Sequence, residues 1–510
     1  MRDRVGSDAV SGITRPETVA PHPLAQLAEL VHAELCGADA EVSGVTHSSN
    51  AVRSGDLYAA LPGANRHGAE FVSAAARAGA VAVLTDPAGR EAAMQAGLPV
   101  LVVDDPRAVL GAVAAAIYGE PSRRLTMIGV TGTAGKTSTS YLVEAGLRAA
   151  GLVTGLVGTV ETRLGDHVVK SVRTTPEATD LQAILASGVE RGVSAVVMEV
   201  SSHALVMGRA DGIRFAAAGY TNFGQDHLDF HPTAEDYFEA KARLFDGRAR
   251  VEVLNYDDSA VMRLKGDGTV TYSAAGAEDA TWWASDVRPS AFGQLFTAHG
   301  PDGITVETGV ALPGLHNIAN ALLALALLVG AGIDPATAGQ GIRDCRGVPG
   351  RLERVDAPGE ILGVVDYAHK PNAIVAALAA LRELASARGG GLICVIGAGG
   401  DRDKGKRPLM GEAAAQGSDL VIVTDDNPRT EDPAAIRAAV RVGAEEAGTA
   451  AKIIEVGGRR AAIAEAVRLA APGDVIAVLG KGNEQGQEVD GEVLPFDDRI
   501  ELATALEGRS

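Results

Sequence analysis

The stretch from Met127 to Ser138, MIGVTGTAGKTS, constrains the fold of this chain more than any other. A β-branched apolar run ends in a glycine loop, and Lys136 and Thr137 lead into a pattern that predicts a helix over residues 140–150. Backbone N–H groups of such a loop converge on an anion, and the helix N-terminus and the lysine add positive charge. Val130 stands where a strict Walker A motif has its first glycine. We predict a nucleotide triphosphate site.

The expected phosphate-binding set is the loop with the first residues of its helix. The hydroxyl of Thr137 is placed to hold Mg²⁺ beside the phosphates. The alternative is an ordinary glycine turn before a helix, which the coincidence of strand, loop, Lys-Thr pair and helix disfavours. The set is Gly132, Thr133, Ala134, Gly135, Lys136, Thr137 and Ser138.

Composition excludes several classes of protein. A net charge of −19 argues against a nucleic-acid partner bound through its phosphates, since no broad basic surface would release counterions. Three widely spaced cysteines suit a reducing cytoplasm rather than a disulfide framework. No signal peptide is apparent, and the longest apolar run, residues 321–333, is too short to span a bilayer and predicts a buried helix. We expect a cytoplasmic protein without membrane or nucleic-acid partners.

Strand and helix patterns alternate along the chain, which favours α/β domains with mostly parallel sheets. We predict a disordered tail over residues 1–23 and three domains, at 24–122, 123–350 and 351–510. Four apolar strands of the third domain run into polar or glycine loops. Ligands in open α/β sheets bind beyond the carboxyl ends of strands, so these loops are that domain's expected site. They are residues 366–369, 397–402, 425–429 and 480–484.

Lys241 is an anomaly in the helix predicted from residue 234 to 245. It falls within an apolar stripe at helical spacing, where burial favours the neutral amine. One interpretation is snorkelling, in which the stem packs and the ammonium reaches water. The other is a functional amine, which CO₂ could convert into an anionic carbamate and metal ligand. The stripe consists of Tyr237, Phe238, Leu244 and Phe245.

Two other segments offer metal ligands. Glu199, in MEVSSH, stands at the carboxyl end of a predicted strand, and His227, in DHLDFH, follows the next one. Either residue alone would be ordinary surface. Together with Thr137 they predict a Mg²⁺ environment near the phosphates.

Several motifs follow one another along the chain: GTAGKTS, TTPE, EVSSH, DHLD, YFEAKARLF, GLHNIAN, GRLE, DYAH and DDNPR. In these motifs and in their order the chain resembles a known family, the Mur ligases, which form amides with ATP in peptidoglycan synthesis. The likeness covers nearly the whole chain after about residue 40. The resemblance implies an N-terminal UDP-substrate domain, a central P-loop-like ATPase domain and a C-terminal Rossmann-like domain.

The implied reaction joins diaminopimelate to the D-glutamate carboxylate of UDP-N-acetylmuramoyl-L-alanyl-D-glutamate through an acyl phosphate, with ATP as co-substrate and Mg²⁺ as cofactor. We expect a monomer. By the resemblance, Lys136 is catalytic and Lys241 is carbamylated. The implied magnesium ligands are Thr137, Glu199, His227 and carbamylated Lys241. The further implied contacts to the nucleotide are Asn317, Arg351, Asp366 and His369, with the third domain closing over the second.

The family pattern also implies two substrate pockets. An Arg can grip the carboxylate of a zwitterionic amino acid with two hydrogen bonds, although DDNPR alone would also fit an Asx-Pro turn. The implied contacts to the UDP-muramoyl peptide are Ser49, Thr174, Thr175, Ser201 and Arg209. The implied amino-acid contacts are Arg402, Asp426, Asn427, Pro428, Arg429, Gly480 and Glu484.

Three positions depart from the family pattern: Ala134 in the loop, the triplet Ser48-Ser49-Asn50, and Asn483 in GKGNE. They leave open a ligase on the same scaffold that takes L-lysine or a secondary-metabolism paralogue. A folylpolyglutamate synthase is a further alternative on this scaffold, which the UDP pattern of the first domain and DDNPR disfavour. A nonenzymatic nucleotide-binding protein is the alternative from another class. The joint presence of Lys136, Glu199, His227 and Lys241 disfavours it.

Overall fold

A computed structural model describes residues 15–509 of the chain, apart from residues 64, 172, 225, 228, 229, 291 and 313. The chain forms two compact units. The first comprises Met1–Val287, Leu295–Gly309 and His316–Cys345, and the second comprises Arg288–Gln294, Val310–Leu315 and Arg346–Ser510. The domain limits expected at residues 122 and 350 stay predictions, because the division into two compact units does not test them.

The N-terminal part of the first unit is an α/β layer. Its strands are β1 (His22–Pro23), β2 (Glu34–Cys36), β3 (Glu41–Val42), β4 (Gly44–Thr46), β5 (Asp56–Ala60), β6 (Ala82–Thr85) and β7 (Val100–Val102). Its helices are α1 (Leu24–Val31), α2 (Val72–Ala78), α3 (Arg90–Gln95) and α4 (Pro106–Ile117). The sheet order is β2-β7-β6-β5-β4, parallel except for the β2–β7 pair. Strand β5 is buried throughout, as a strand covered on both faces must be.

Residues 15–23 correct the prediction of a disordered tail up to residue 23. Arg15 donates to both carboxylate oxygens of Asp56 at 2.8 Å. The main-chain N–H groups of Glu17 and Thr18 donate to Glu190, and β1 pairs with β3. Charged and proline-containing sequence suggested disorder, but a long-range ion pair, main-chain hydrogen bonds to Glu190 and strand pairing order this segment. Residues 1–14 of the predicted tail lie outside the described residues.

The central sheet carries the glycine loop. Its strands are β8 (Thr126–Thr131), β9 (Thr154–Val157), β10 (Glu161–Leu164), β11 (His167–Lys170), β12 (Ala195–Glu199), β13 (Phe215–Tyr220), β14 (Ala249–Asn255), β15 (Val270–Ser273), β16 (Trp282–Pro289), β17 (Gln294–His299) and β18 (Thr305–Val310). Its helices are α5 (Lys136–Ala149), α6 (Ala178–Glu190), α7 (Ser202–Val206), α8 (Ala234–Ala242), α9 (Leu315–Gly330) and α10 (Pro335–Asp344). The strand order is β11-β10-β9-β12-β8-β13-β14-β15-β16-β17-β18.

Strand order brings the carboxyl ends of β8, β12 and β13 side by side. All three are parallel, with Glu199 opposite Val130 and Tyr220 opposite Thr131. The glycine loop, Glu199 and the segment after Tyr220 therefore leave the sheet at one edge. Helix α9 is buried along residues 321–328, which confirms the predicted buried helix.

The second unit contains a six-stranded sheet. Its strands are β19 (Glu353–Val355), β20 (Leu362–Asp366), β21 (Leu392–Ile396), β22 (Leu420–Val423), β23 (Lys452–Glu455) and β24 (Val475–Leu479), with a hairpin of β25 (Gly486–Val489) and β26 (Glu492–Pro495). Its helices are α11 (Pro371–Ala387), α12 (Lys406–Gly417), α13 (Pro433–Glu446), α14 (Arg459–Leu469) and α15 (Asp498–Glu507). The order β19-β20-β24-β21-β22-β23 is parallel apart from β19. The four predicted loops follow four adjacent strands. Among the described residues, no helix has the length and apolar character needed to cross a membrane.

Candidate active site

The glycine loop turns sharply from β8 into α5. Gly132 and Gly135 have φ values of 140° and 87°, a region that favours glycine. A side chain at Gly135 would meet the amide of Asn320 on α9, so the loop also lies close to that helix. Helix α5 begins at Lys136, earlier than the predicted residue 140, and points its N-terminus at the loop.

Lys136 folds back over the loop from which it emerges. Its Nζ donates to the carbonyl oxygens of Gly132 at 2.7 Å and Thr133 at 3.1 Å. The loop itself is held by the segment after β13. Asn222 Oδ1 accepts from the N–H of Ala134 at 3.0 Å, and its Nδ2 donates to the carbonyl of Ala134 at 3.1 Å. Both hydrogen bonds are made to main-chain atoms of Ala134. They therefore do not depend on the side chain at this position, where the chain departs from the family pattern.

Glu199 ends β12 as a buried carboxylate, 1 % exposed. Thr137 Oγ1 donates to its Oε2 at 3.0 Å, so a side chain from α5 meets a side chain from β12. Thr159, in the turn between β9 and β10, donates its N–H to Oε1 at 2.9 Å and its hydroxyl to Oε2 at 3.0 Å. Three donors fix this carboxylate, as burial of a charge requires.

Lys241 lies on α8 with its side chain buried and 1 % exposed. Its Nζ donates to the carbonyl oxygen of Gly132 at 2.8 Å and lies 4.6 Å from the ring centroid of Tyr237. Burial, and next the charge of Lys136, lower the pKa of Lys241 well below that of an ordinary lysine. The structure thus excludes snorkelling and places this amine against the glycine loop.

His227 lies beside a cluster of aromatic rings. Its ring centroid is 4.8 Å from that of His203 and 6.0 Å from that of Tyr237, whose hydroxyl is 3.3 Å from Thr133 Oγ1. Its Nε2 is 3.7 Å from Asp226 Oδ2. Leu228 and Asp229 of the DHLD motif lie outside the described residues.

The described residues can be tested against Mg²⁺, which prefers hard oxygen ligands. The Thr137 hydroxyl and the Glu199 carboxylate supply adjacent oxygens and fit such an ion. Within the described part of the chain, no three His, Cys, Asp or Glu side chains are grouped to hold a metal ion. Two of the four expected ligands therefore contact each other. Lys241 contacts the Gly132 carbonyl of the loop, whereas the His227 ring lies 6.0 Å from the Tyr237 ring.

Four of the five residues expected to contact the UDP-muramoyl peptide lie around Glu199. Thr175 Oγ1 donates to the Glu199 carbonyl at 2.9 Å and accepts from the N–H of Ser201 at 3.1 Å. Thr174 Oγ1 lies 3.0 Å from Thr159 Oγ1. Arg209 pairs with Glu177 at 2.7 Å and reaches the carbonyl of Thr175 at 3.5 Å.

Ser49 belongs to the N-terminal part of the same unit. It sits in a turn closed by the N–H of Ala51, which donates to the carbonyl of Ser48 at 3.0 Å. The preceding His47 approaches Thr179 Oγ1 at 3.3 Å, just after the TTPE motif. The turn therefore lies near α6, which begins at Ala178.

Residues that the sequence did not single out also hold the loop. Thr221 Oγ1 donates to the carbonyl of Ala134 at 2.6 Å. Thr139 Oγ1 donates to Asn320 Oδ1 at 3.4 Å, and Asn320 donates to the buried Asn317 at 3.3 Å. The signal that could have found Thr221 and Asn222 is their position at the carboxyl end of the predicted strand that precedes His227.

The second unit holds the other three residues expected to contact the nucleotide. Asp366 accepts from the N–H groups of Leu352 and Ala368, yet burial raises the pKa of its carboxyl. Burial lowers the pKa of His369, whose Nδ1 lies 2.8 Å from the Tyr367 carbonyl oxygen. The Arg351 guanidinium lies 5.0 Å from the Tyr367 ring centroid. The three residues thus share one loop region of this unit.

The expected amino-acid pocket forms a connected network after β22 and β24. Asn427 Nδ2 donates to Glu484 at 2.9 Å, and buried Lys481 donates to Asn427 Oδ1 at 2.8 Å and to Glu484 at 2.9 Å. Arg429 pairs with Glu488 at 2.8 Å and donates to the Gly400 carbonyl at 2.7 Å. Lys481 lies in the predicted loop 480–484 but was not singled out there, and Glu488 lies outside the predicted loops.

The other expected members of this pocket lie in these two loops and in the loop after β21. The carbonyl of Asp426 accepts from Gln487 at 2.6 Å. A side chain at Gly480 would press against the carboxylate of Asp426, so the two loops approach closely. Pro428 lies between Asn427 and Arg429, and Arg402 is exposed in the loop after β21.

Comparison with known proteins agrees with this geometry. Three family models match, described as the Mur ligase family catalytic domain (residues 41–118), the Mur ligase middle domain (130–328) and the Mur ligase glutamate ligase domain (350–482). A UDP-N-acetylmuramoyl-L-alanyl-D-glutamate–2,6-diaminopimelate ligase from Streptomyces avermitilis is 52% identical over 502 residues, with 97% of this chain and 98% of the relative covered. The chain belongs to the Mur ligase family. It is therefore an ATP-dependent ligase of α/β architecture.

Other Mur ligases extend the likeness. The protein of the same name from Corynebacterium glutamicum is 48% identical over 90% of each chain. A solved structure of a UDP-N-acetylmuramoyl-L-alanyl-D-glutamate–2,6-diaminopimelate ligase has a TM-score of 0.69 at 32% identity and covers 92% of this chain and 95% of its own. The folylpolyglutamate synthase of Mycobacterium tuberculosis, solved with ADP and AMPPCP, shares the fold alone, with a TM-score of 0.54 at 20% identity, covering 72% of this chain and 91% of its own.

Proposed function

We propose that this Mur ligase joins diaminopimelate to the D-glutamate carboxylate of UDP-N-acetylmuramoyl-L-alanyl-D-glutamate, with conversion of ATP to ADP and phosphate. The observation that carries the proposal is the meeting of Thr137, Glu199 and Lys241 at the glycine loop of a chain that is 52% identical to a ligase of that name. Action in the cytoplasm and a monomeric state stay predictions.

The first step joins two anions. An oxygen of the substrate carboxylate attacks the γ-phosphorus of ATP, the bond from that phosphorus to the bridging oxygen breaks, and ADP leaves an acyl phosphate behind. Lys136 and the loop N–H groups offset the repulsion between the carboxylate and the triphosphate. Mg²⁺, held by Thr137 and Glu199, would supply further charge neutralisation when bound.

In the second step the amine of the incoming amino acid attacks the acyl carbon. The bond from that carbon to the phosphate oxygen breaks, phosphate leaves, and the nitrogen gives up a proton as the amide forms. Positioning the three substrates supplies much of the rate enhancement. We assign binding of the amino acid's second carboxylate to Arg429 and binding of an ammonium group to Glu484.

We further propose that Lys241 is carbamylated. A neutral amine attacks the carbon of CO₂ and releases one proton, and the low pKa of this lysine supplies the neutral amine. The product is an anion in place of a buried cation. It would stand beside the loop that binds the phosphates, where His227 and the Glu199 carboxylate complete the proposed metal ligands.

Replacement of Lys241 by alanine tests this modification. We expect Lys241→Ala to lower kcat by at least about 100-fold, with partial recovery on addition of short carboxylic acids that occupy the vacated anion position. Phosphate release measures turnover, and far-ultraviolet circular dichroism checks folding. Lack of recovery would contradict the carbamate, and near-normal turnover would remove Lys241 from the mechanism.

An amino-acid panel tests the reaction as a whole. Phosphate release should require the UDP-muramoyl dipeptide together with diaminopimelate, and mass spectrometry should find the tripeptide product. L-lysine serves as the comparison, because Asn483 departs from the family pattern in this pocket. Release without an amino acid, or with L-lysine in preference, would overturn the proposed specificity. Release only with glutamate and a folate would overturn the whole assignment.

A further inference from the structure

The turn between β9 and β10 holds the carboxylate of Glu199 in place. Because β9 pairs in parallel with β12, with Val157 opposite Met198, the residues after β9 continue beside Glu199. A Cβ at Gly158 would fall well inside van der Waals distance of Glu199 Oε1, so the carboxylate fits there only against glycine. Thr159 then donates both its N–H and its hydroxyl to the same carboxylate.

The hydroxyl of Thr159 has a second neighbour. Its Oγ1 lies 3.0 Å from Glu199 Oε2 and 3.0 Å from Thr174 Oγ1. A hydroxyl has one proton to donate, and an ionised carboxylate can only accept. The Thr159 proton therefore points to Glu199, and the contact with Thr174 is made by the Thr174 proton.

Binding of an anionic oxygen of the UDP-substrate at Thr174 would take the one Thr174 proton, so that Thr174 Oγ1 could only accept from Thr159. The ionised Glu199 carboxylate is the stronger acceptor for the Thr159 proton as long as no cation is bound there. A cation at Oε2 would replace that proton and let it turn to Thr174, so each ligand would favour binding of the other. Thr137 Oγ1 also donates to Oε2, so this one oxygen adjoins both the nucleotide loop and the substrate threonine.

We propose that Thr159 is a positioning residue that couples occupancy of the UDP-substrate site at Thr174 to cation and nucleotide binding at Glu199. The coupling rests on the proposed function, because that function assigns Thr174 to the UDP-substrate. It is reciprocal, so each ligand strengthens binding of the other by the same factor. The coupling favours binding of both the UDP-substrate and ATP before the substrate carboxylate is phosphorylated.

Calorimetric titration of the full chain with Mg²⁺ and a nonhydrolysable ATP analogue tests the coupling without turnover. For the wild type, saturating UDP-muramoyl dipeptide should tighten nucleotide binding by at least about fivefold. Thr159→Val keeps the shape and the N–H but removes the hydroxyl, so it should reduce this factor to below about twofold. Thr159→Ser should restore it.

Thr162→Val is the matched control, because Thr162 lies on the same hairpin and its hydroxyl contacts Ser171 at 3.1 Å. It should keep the wild-type coupling. Thermal melts check that each variant folds, and Thr159→Ala replaces the valine variant if that one does not. Full coupling in a folded variant without the hydroxyl would overturn the inference, as would absence of coupling in the wild type.

The same samples separate this inference from the proposed function. If the wild type neither binds the UDP-muramoyl dipeptide nor ligates diaminopimelate, the proposed function fails and the coupling fails with it. If the wild type ligates diaminopimelate but the Thr159→Val and wild-type coupling factors are equal, only the role of Thr159 is wrong.

Discussion

At the scale of single residues, Lys241 shows how burial changes chemistry. The folded protein holds its pKa well below that of an ordinary lysine, whereas the unfolded chain binds the proton up to about pH 10.4. Between the pKa of Lys241 in the folded state and its pKa in the unfolded state, the unfolded state binds more protons. The buried lysine therefore lowers the free energy of unfolding, and this loss becomes smaller as the pH rises.

Lys241→Met should therefore change stability in a pH-dependent way. Relative to this variant, the wild type should lose stability as the pH falls from 10 towards 7, by at most about 1.4 kcal/mol per pH unit. Denaturant unfolding in CO₂-free buffers measures the difference. Lys265→Met, at an exposed lysine, should show no such slope. A difference for Lys241→Met that stays constant with pH would mean that the buried amine remains protonated.

At the scale of elements, helices α12 and α13 of the second unit pack backbone against backbone. A side chain at Gly411 would strike the Val440 carbonyl, and one at Gly443 would strike the Pro408 carbonyl. Small residues at a helix crossing permit such close approach, and overpacking it forces the helices apart. These two glycines therefore determine how closely α12 and α13 approach each other.

Gly443→Ala should destabilise the protein by about 1–3 kcal/mol, because the required helix shift outweighs the gain of about 0.5–1 kcal/mol in helix propensity. Chemical denaturation followed by circular dichroism measures this loss. Val442→Ala, at a position on the same helix with 44% exposure, should change stability by less than about 0.5 kcal/mol. Equal stability of Gly443→Ala and the wild type would show that the crossing can relax.

At the scale of the whole molecule, the expected contacts are divided between two units. Lys136 and the glycine loop belong to the first unit, and Arg429 belongs to the second. If the amino-acid pocket and the nucleotide site bind their ligands independently, a substitution in one of them should change the KM of its own ligand and leave the other KM nearly unchanged.

Arg429→Ala should raise the KM for diaminopimelate by about tenfold or more, which corresponds to loss of a charge-assisted hydrogen bond, and leave the KM for ATP within about twofold. Arg460→Ala, which removes a side chain that is 71% exposed and paired with Glu501, is the control. Steady-state phosphate release gives both constants. Parallel loss of affinity for ATP and for the amino acid would show that Arg429 does not serve one pocket.

Much of the fold could be predicted because its signals are local. Apolar runs such as residues 392–396 and 475–479 became the buried strands β21 and β24, and the turn GTAGKTS became a loop at a helix N-terminus. Residues 15–23 show where local pattern fails, since their order comes from Asp56 and Glu190, far along the chain.

The sequence by itself determined the α/β architecture, the glycine loop and the types of side chain available at each strand end, because periodicity and turn chemistry act over a few residues. Only the tertiary structure decided which of those side chains meet. Thr159 reaches Glu199 because β9 lies next to β12, and Lys481 reaches Asn427 because their strands share one sheet edge. Pairing between distant strands depends on packing of the whole sheet, and no local pattern records it.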